Sequence, residues 1–331
     1  MSLIETLQKV RELENNQRYN NFYPSKIRVV PNDKATKLLF SRSGNVFQRL
    51  MNGEKFTVEE KKGKGKKKVT SSFTLENQAQ YNNQEPLTEF DRAVLSVCIS
   101  EWIEGNRVTT PAIILRALIG KVGEVGVKLR PDQLAAIDKS IEKLMFTKFN
   151  PDVEGAFAEL NYANGDSIKI KKSPILPCYA VEACINGQKV DAIIFDRESP
   201  LFTIADLKSQ FIRFDNSLLD VPNQRNTPRI ITLKNYVLLR IAEIINHKMT
   251  PTLTFDDIFK KCRIEDKHGE IKARAREYLI QFLEHLQAQG VISAFEIVKK
   301  HNAFYSFQFY YEKNAKNFLK RAGQETALHS H

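Results

Sequence analysis

The sequence predicts an α+β protein in which a β-hairpin extension precedes two units, each made of three helices followed by a hairpin. Helix caps and apolar repeats recur in the same order in residues 86–200 and 201–315. Asn-Gly turns separate alternating segments of the first unit. Three helices followed by a hairpin is the order of a winged-helix domain, an elaboration of the helix-turn-helix. We therefore expect two winged-helix domains in tandem, an extension over 1–85 and a tail over 316–331.

The composition favours a folded protein with a polyanionic partner. Apolar residues make up 42% of the 331-residue chain, and 21 of its residues are Phe, which is enough to build sizeable cores. Lys and Arg outnumber Asp and Glu by 50 to 39. A positive surplus favours binding to nucleic acid, because each neutralised phosphate releases a counterion. The first residues lack a basic segment followed by an apolar one, and no run of about 18 apolar residues occurs. We therefore expect a cytoplasmic protein with no membrane partner.

The extension combines a helix with a lysine-rich hairpin. Leu3, Leu7 and Val10 share one helical stripe that docks either on a partner or on the body of the protein. Two alternating segments, near residues 56–58 and 69–75, flank a loop at 61–68 that contains six lysines. This loop is either a solvated tip or a flexible arm that follows phosphates, and the DNA-binding candidates within it are Lys64, Lys66 and Lys67.

The first unit begins with three capped helices. Thr88 caps the first, Thr110-Pro111 starts the second, and Arg130-Pro131 opens the third. We expect the third helix to expose Gln133, Ala136, Lys139, Ser140 and Lys143. Strands follow near Tyr179–Ile185 and Lys189–Phe195. This unit either contacts DNA through Lys139 and Lys143 or pairs by its strand edges to form a homodimer.

The second unit repeats this order. Leu207 to Leu219 is expected to form a connecting helix, and Thr232 and Thr254 are expected to cap the first two helices of the unit. The third helix runs from about His268-Gly269 to Gln289. Two strands, Val291–Val298 and Phe304–Tyr311, then enclose a turn over Lys299–Ala303. The hairpin forms the expected wing.

The third helix of the second unit carries the sharper candidate DNA surface. Its apolar stripe is predicted at Ile271, Ala275, Tyr278, Phe282 and Leu286, so Gly269, Ala273, Arg276 and Ile280 face away. A helix in the major groove needs small residues for close approach and cations for phosphates and guanine edges. The predicted contacts are Lys272, Ala273, Arg274 and Arg276, with Lys299, Lys300 and His301 at the wing tip. An outward Ile280 argues instead for packing against another domain.

No pattern indicates catalysis, a metal or a cofactor. GxSxG, HExxH, GxxxxGK[ST] and glycine-rich nucleotide motifs do not occur. The closely spaced histidines are His329 and His331, so the histidine pair of a nicking enzyme's metal site is not provided by the body of the chain. The four cysteines form no CxxC pair and are expected to be buried or idle thiols. We expect a non-enzymatic protein without a cofactor.

Three segments resemble the tandem winged-helix replication initiators of bacterial plasmids, phages and mobile elements. These segments are Glu89-Phe90-Asp91-Arg92-Ala93-Val94-Leu95, Thr109-Thr110-Pro111-Ala112-Ile113-Ile114 and Leu233-Lys234-Asn235-Tyr236-Val237-Leu238-Leu239-Arg240. The resemblance covers about 86–312 and implies binding to repeated origin DNA. It also implies a dimer contact in the first unit, base readout in the second, and recruitment of a host replication initiator or helicase. The lysine loop departs from that pattern.

Three functions follow as hypotheses. The first is a replication initiator that binds double-stranded origin DNA in a sequence-specific manner. The second is a winged-helix transcriptional regulator. The third is an adaptor whose winged helices bind protein.

Overall fold

The structure is a computed structural model that describes residues 24–40, 56–62, 69–75, 86–124, 127–149, 158–162, 167–170, 173–185, 188–207, 209–265, 269–301 and 303–312. The chain divides into two compact units, each built from separated segments. Unit 1 contains the described residues of Pro31–Pro111 and Ile137–Phe211. Unit 2 contains 24–30, Ala112–Ala136 and the described residues from Ile212 onward. The predicted boundaries at 85/86, 200/201 and 315/316 stay predictions.

Two antiparallel sheets dominate unit 1. In the first, the predicted hairpin of β2 (Phe56–Lys62) and β3 (Val69–Leu75) continues into β6 (Ala158–Tyr162) and β7 (Ser167–Ile170). The second sheet has the strand order β4–β10–β9, with β4 at Val108–Thr109, β9 at Cys178–Ile185 and β10 at Gln188–Phe195. The predicted hairpin is confirmed, and it shares a sheet with strands from the predicted first domain.

Unit 1 also holds short and long helices around these sheets. The remaining elements are α1 (Lys34–Leu39), α2 (Glu89–Ile103), the end of α4 (Pro131–Phe146), the paired strands β5 (Lys148–Phe149) and β8 (Ser173–Pro174), and α5 (Pro200–Leu207). The predicted cap of α2 is confirmed as a capping box, since the Asp91 backbone N–H donates to Thr88 Oγ1 at 3.2 Å. In return, the Thr88 backbone N–H donates to Asp91 Oδ2 at 2.7 Å.

Unit 2 is built around a long buried helix. Its elements are β1 (Ile27–Pro31), which pairs with β11 (Phe211–Asp215), then α3 (Pro111–Ile119), the start of α4, a 3₁₀ turn at Asn216–Leu219, α6 (Pro228–His247), β12 (Thr252–Thr254), α7 (Phe255–Lys261), α8 (Glu270–Ala288), β13 (Ala294–Lys300) and β14 (Ala303–Tyr310). The core comprises the apolar faces of α6, α7 and α8 together with Phe307 and Phe309 of β14. Both Phe side chains are fully buried, so the hairpin is anchored from beneath.

A related element order occurs twice along the chain. Helix, short strand, helix, helix and two-strand hairpin follow one another directly in α6–β12–α7–α8–β13–β14; the order α2–β4–α3–α4–β9–β10 is similar, but strands β5 to β8 are inserted between α4 and β9. In both, the short first strand pairs with the last strand of the hairpin, giving the orders β4–β10–β9 and β12–β14–β13. The described residues thus form a mixed helical and β structure with small antiparallel sheets.

Two sequence-based predictions around α6 are wrong. Leu207 to Leu219 is not one helix, because β11 and the 3₁₀ turn occupy most of it. Helix α6 begins at Pro228 after the cap Thr227, and Thr232 lies inside the helix, where its Oγ1 donates to the Pro228 carbonyl at 2.8 Å. Within the described ranges, no helix combines the length and apolar character needed to cross a membrane.

Candidate nucleic-acid interface

Helix α8 begins at a glycine in the left-handed region. Gly269 has φ of +83° and no side-chain cap, and the Ala273 backbone N–H donates to its carbonyl at 3.0 Å. A Cβ at this position meets no atom within 4 Å, so nothing among the described residues covers this turn closely. The N-terminal end of a helix carries a partial positive charge and unpaired backbone N–H groups, both of which favour an anion.

The inner face of α8 fixes which residues remain accessible. Five of its side chains are fully buried in unit 2: Ala275, Leu279, Phe282, Leu283 and Leu286. Ile271 and Tyr278 pack partly against the same core. The predicted apolar stripe is therefore largely correct, and it also includes Leu279 and Leu283. Arg274 is exposed, whereas Lys272, Ala273, Arg276 and Ile280 are half-buried.

The hairpin of β13 and β14 carries cations at its tip. Lys299, Lys300 and His301 are all exposed, and His301 has φ of +49° where the chain reverses. Lys299 pairs in register with Phe304, and Lys300 pairs with Ala303. The predicted strand–turn–strand order is confirmed, but β13 runs over Ala294–Lys300 instead of Val291–Val298, so Lys299 and Lys300 lie in the strand and the turn is shorter than predicted.

Cations from the helix and from the hairpin meet over one aromatic ring. Arg276 Cζ of α8 lies 5.0 Å from the centroid of Phe304, and Lys299 Nζ lies 5.1 Å from the same centroid. Lys300 Nζ lies 5.5 Å from the ring centroid of its neighbour Tyr305. Phe304 is 38% exposed and Lys299 is exposed, whereas Arg276 is half-buried. We call Arg274, Arg276, Lys299 and Lys300 the cationic ridge, and His301 lies next to Lys300 at the hairpin tip.

The sequence prediction did not include Phe304 in the site. Phenylalanines at 304, 307 and 309 cannot all lie on one face of a regular strand, because strand side chains alternate with a period of two. That mismatch is the available sequence signal that Phe304 is placed differently from its neighbours. Exposed carboxylates occur on the same elements, Glu270 and Glu277 on α8 and Glu296 on β13.

A polar network supports α8 from below. Gln224 Nε2 donates to the Tyr278 carbonyl of α8 at 2.9 Å. In the same connecting segment, the Leu219 carbonyl and Asn226 Oδ1 accept from the buried Lys234 Nζ of α6, at 2.7 and 2.8 Å. Burial lowers the pKa of Lys234 to about 8. The segment from 219 to 226 is thereby tied to both α6 and α8.

His285 of α8 lies close to this network. Its pKa is lowered, first because burial disfavours the charged ring and also because Lys234 repels it; the Asp220 carboxylate and a hydrogen bond with the Leu218 backbone act in the opposite direction. His285 is therefore biased towards the neutral ring, and the charge on α8 is carried by the side chains nearer its start.

Of the two DNA contacts predicted in the first unit, one is exposed and the other is buried. Lys139 is exposed. Lys143 is only 6% exposed, and its Nζ lies 3.7 Å from Asp91 Oδ2, so the expectation that it is exposed is wrong. Gln133 and Ser140 are likewise buried, and Gln133 Nε2 donates to the Asn226 carbonyl. The sequence prediction failed there because the partners of Lys143 and Gln133 lie far away along the chain. The lysines predicted in the first extension, Lys64, Lys66 and Lys67, lie outside the described residues.

Neither the thiols nor the acidic side chains form a chemical centre among the described residues. Cys98 and Cys262 are buried and form no disulfide, and burial raises the pKa of the Cys178 thiol to about 12. No three His, Cys, Asp or Glu side chains in the described part of the chain are arranged to hold a metal ion.

Comparison with known proteins gives weak structural similarity to solved structures. No protein-family model matches the chain, and no curated protein matches it. Among solved structures, it is similar to a crystal structure of selenomethionine derivatives of domains 2 and 3 of RctB. The TM-score is 0.30 and the identity is 11%, over 76% of this chain and 90% of that one. Overlap at this TM-score does not establish a shared fold, so function has to follow from the chain's own side chains.

Proposed function

We propose that this chain is a non-enzymatic, sequence-specific double-stranded DNA-binding protein built on two winged helices in tandem. In this proposal α8 is the recognition helix of the second winged helix, and the hairpin of β13 and β14 is its wing. We further propose that the chain acts in the cytoplasm as a replication initiator of a plasmid, phage or other mobile element. The proposal includes no cofactor, metal or membrane.

The observation that carries the proposal is the meeting of Arg276 and Lys299 over Phe304. Two elements separated along the chain, a helix and a hairpin tip, contribute cations to one exposed ridge. A DNA duplex offers a groove for a helix and a flanking phosphate backbone for a wing, so these two sources of charge suit it. Basic side chains that lie isolated on unrelated surfaces cannot contact a groove and its flanking backbone together.

The individual side chains support distinct contacts. An arginine binds guanine O6 and N7 or a phosphate in bidentate fashion, which suits Arg274 and Arg276 near the start of α8. Gly269 and Ala273 leave room for close approach of a groove wall. Lys299, Lys300 and His301 at the tip suit phosphates, which position a protein without reading sequence. Lys272 is half-buried and is proposed as a phosphate contact at the flank.

The remaining partners are also proposals. β9 lies at the end of its described three-stranded sheet, and Tyr179 on it is exposed, which supports a homodimer formed by strand pairing in the first winged helix. Lys139 and the lysines Lys64, Lys66 and Lys67 are proposed to track phosphates. A host replication initiator or helicase is the proposed protein partner at the origin.

Fluorescence anisotropy with DNA fragments selected from the source genome tests the proposal. Wild-type binding should weaken steeply with salt, with a slope of about −0.9 for each neutralised phosphate. The double variant Lys272→Ala/Arg276→Ala should lose about 1–3 kcal/mol of binding free energy on the selected fragment. Binding that ignores salt would exclude a phosphate-contacting protein.

A charge-matched variant controls for the lower net charge. Arg130 and Arg197 are exposed arginines on other parts of the chain, and each lies beside an aspartate, Asp132 at 2.9 Å and Asp196 at 3.9 Å. The variant Arg130→Ala/Arg197→Ala removes the same formal charge and should retain nearly all of the affinity. Equal losses in the two double variants would mean that net charge alone drives binding, and the assignment of α8 would then be wrong.

The identity of the selected fragments separates the biological roles. Repeated sites beside the gene and its origin support the initiator, whereas a palindromic promoter site supports a transcriptional regulator. Failure to recover any fragment, together with protein binding by the same surface, supports an adaptor.

A further inference from the structure

The hairpin of unit 2 contains a one-residue irregularity next to the cationic ridge. Along β13 and β14, Val298 pairs with Ser306, but the next residue, Lys299, pairs with Phe304. Tyr305 is therefore an extra residue on β14, which defines a β-bulge. Bulges change the direction of side chains on the strand that carries them.

The bulge changes the face on which Phe304 lies. In a regular strand, residues 305, 307 and 309 share one face, and Phe304 lies on the opposite face with Ser306. In the structure the Phe304 ring instead meets buried Phe255 edge-on, with centroids 6.3 Å apart and an interplanar angle of 89°. Phe255 also contacts Phe307, at 6.1 Å. The bulge thus places Phe304 on the same side as Phe307, towards the helices.

This placement gives Phe304 two different surroundings. Its ring packs against the core through Phe255 in a T-shaped arrangement, while Arg276 of α8 and Lys299 of β13 lie within cation–π distance of the ring. Arginine and lysine side chains are long and otherwise sample many rotamers, and that freedom is lost when they bind a ligand. A ring anchored in the core restricts the rotamers before DNA arrives, which reduces that loss.

We propose that Phe304 is a positioning residue for DNA recognition and that the bulge at Tyr305 exists to place it. The ring holds the Arg276 guanidinium of the recognition helix and the Lys299 ammonium of the wing at a fixed separation. This inference rests on the proposed function, because it assigns a role within the same DNA-binding surface. Phe304 itself makes no DNA contact in this proposal.

Substitution of Phe304 tests the inference through affinity. Phe304→Leu keeps most of the apolar volume against Phe255 but removes the aromatic face, whereas Phe304→Tyr keeps that face. Phe304→Leu should weaken binding to the selected fragment about two- to five-fold, the effect of losing one exposed cation–π contact. Phe304→Tyr should stay close to wild type. The matched control is Tyr310→Leu, a change at another exposed aromatic residue of β14 that pairs with Ala294.

Two further variants separate positioning from general packing. In a background that already carries Arg276→Ala and Lys299→Ala, Phe304→Leu should have no additional effect on binding. Deletion of Tyr305 should restore the regular register, turn Phe304 away from Arg276 and reproduce the loss seen with Phe304→Leu. An undiminished effect in the double-alanine background would overturn the inference, as would a Phe304→Leu variant with wild-type affinity.

A DNA-free measurement keeps the inference distinct from the proposed function. The Arg276 Nε–Hε NMR resonance, assigned by its loss in Arg276→Lys, should be displaced by the ring current of Phe304. Its chemical shift should move towards the random-coil value in Phe304→Leu and should stay at the wild-type value in Tyr310→Leu. If the chemical shift of Arg276 is the same in Phe304→Leu as in the wild type, the positioning role is overturned, whether or not the wild-type protein binds DNA. Absence of wild-type DNA binding with the expected resonance shift rejects the proposed function, and with it the role in recognition.

Discussion

The contribution of Lys234 to the stability of this protein should become more favourable as the pH rises from about 8 towards 10.5, because Lys234 is buried. Its side chain is only 1% exposed, and burial lowers the pKa from an ordinary 10.5 to about 8, although the Asp220 carboxylate acts in the opposite direction. Between these two values the unfolded chain holds the proton more tightly than the folded protein does. The unfolded state therefore binds more protons, and the free energy of unfolding increases with pH.

The magnitude follows from the separation between the two pKa values. Each pH unit across that window corresponds to about 1.36 kcal/mol, so the linkage amounts to roughly 3 kcal/mol for Lys234. The free-energy cost of burying the charged Lys234 side chain is fully present below pH 8 and is absent above about 10.5. A contribution of this size is a sizeable fraction of the 5–15 kcal/mol typical of a domain.

Urea unfolding of the wild type and of Lys234→Met, followed across this pH range, isolates the effect. Both proteins share every other titrating group, so the difference between their unfolding free energies reports Lys234. That difference should move by about 3 kcal/mol in favour of the wild type as the pH rises. At neutral pH, methionine also leaves the buried Leu219 carbonyl without its donor, which costs about 1–3 kcal/mol, and removes the donor of the half-buried Asn226 Oδ1. Parallel pH profiles for the two proteins would show that Lys234 titrates normally and would refute the reasoning.

Two other substitutions probe the packing of unit 2. Gly120→Ala should destabilise the protein far more than Gly105→Ala. Both glycines have positive φ, at +85° and +87°, so alanine at either position costs about 1–2 kcal/mol in backbone strain. At Gly120 the new Cβ also falls 2.3 Å from the Asp220 backbone nitrogen, whereas at Gly105 it meets no atom within 4 Å. Equal losses of unfolding free energy for the two variants in chemical denaturation would show that the backbone at Asp220 shifts at little cost. Leu279→Ala should cost about 2–5 kcal/mol in the same assay, because Leu279 is fully buried under α8. A loss below about 1 kcal/mol would mean that α8 is not anchored by this face.

Local signals in the sequence predicted the elements that local interactions stabilise. Thr254 caps α7, with the Asp257 backbone N–H donating to its Oγ1 at 3.2 Å, and Pro111 occupies the first turn of α3, as expected. The apolar spacing of α8 and the turn residues at the hairpin tip were also sufficient to predict the helix and the hairpin. Caps, proline and helical periodicity act over a few residues, so a single sequence contains the information needed to find them.

Elements that depend on distant partners were not predictable in this way. The segment Phe211–Asp215 was expected to be helical, yet Ile212 and Phe214 are buried while Arg213 is exposed, which is the alternation of a strand. Its partner is β1, more than half the length of the chain away, and Asn216 Nδ2 donates to the Ser25 carbonyl at 2.6 Å. Apolar residues at these positions fit either a helix or a strand, and only the paired segment decides between them.

The charge of the candidate surface was predictable, but its convergence was not. Helical periodicity identified Arg276, and the hairpin turn identified Lys299, each from its own segment. Nothing local determines that the two lie about one ring, because that depends on the bulge and on how Phe255 packs against both Phe304 and Phe307. In the proposed role of Phe304 the charge separation is therefore set by the core, and a core substitution such as Phe255→Leu should disturb the proposed DNA surface without replacing any cation.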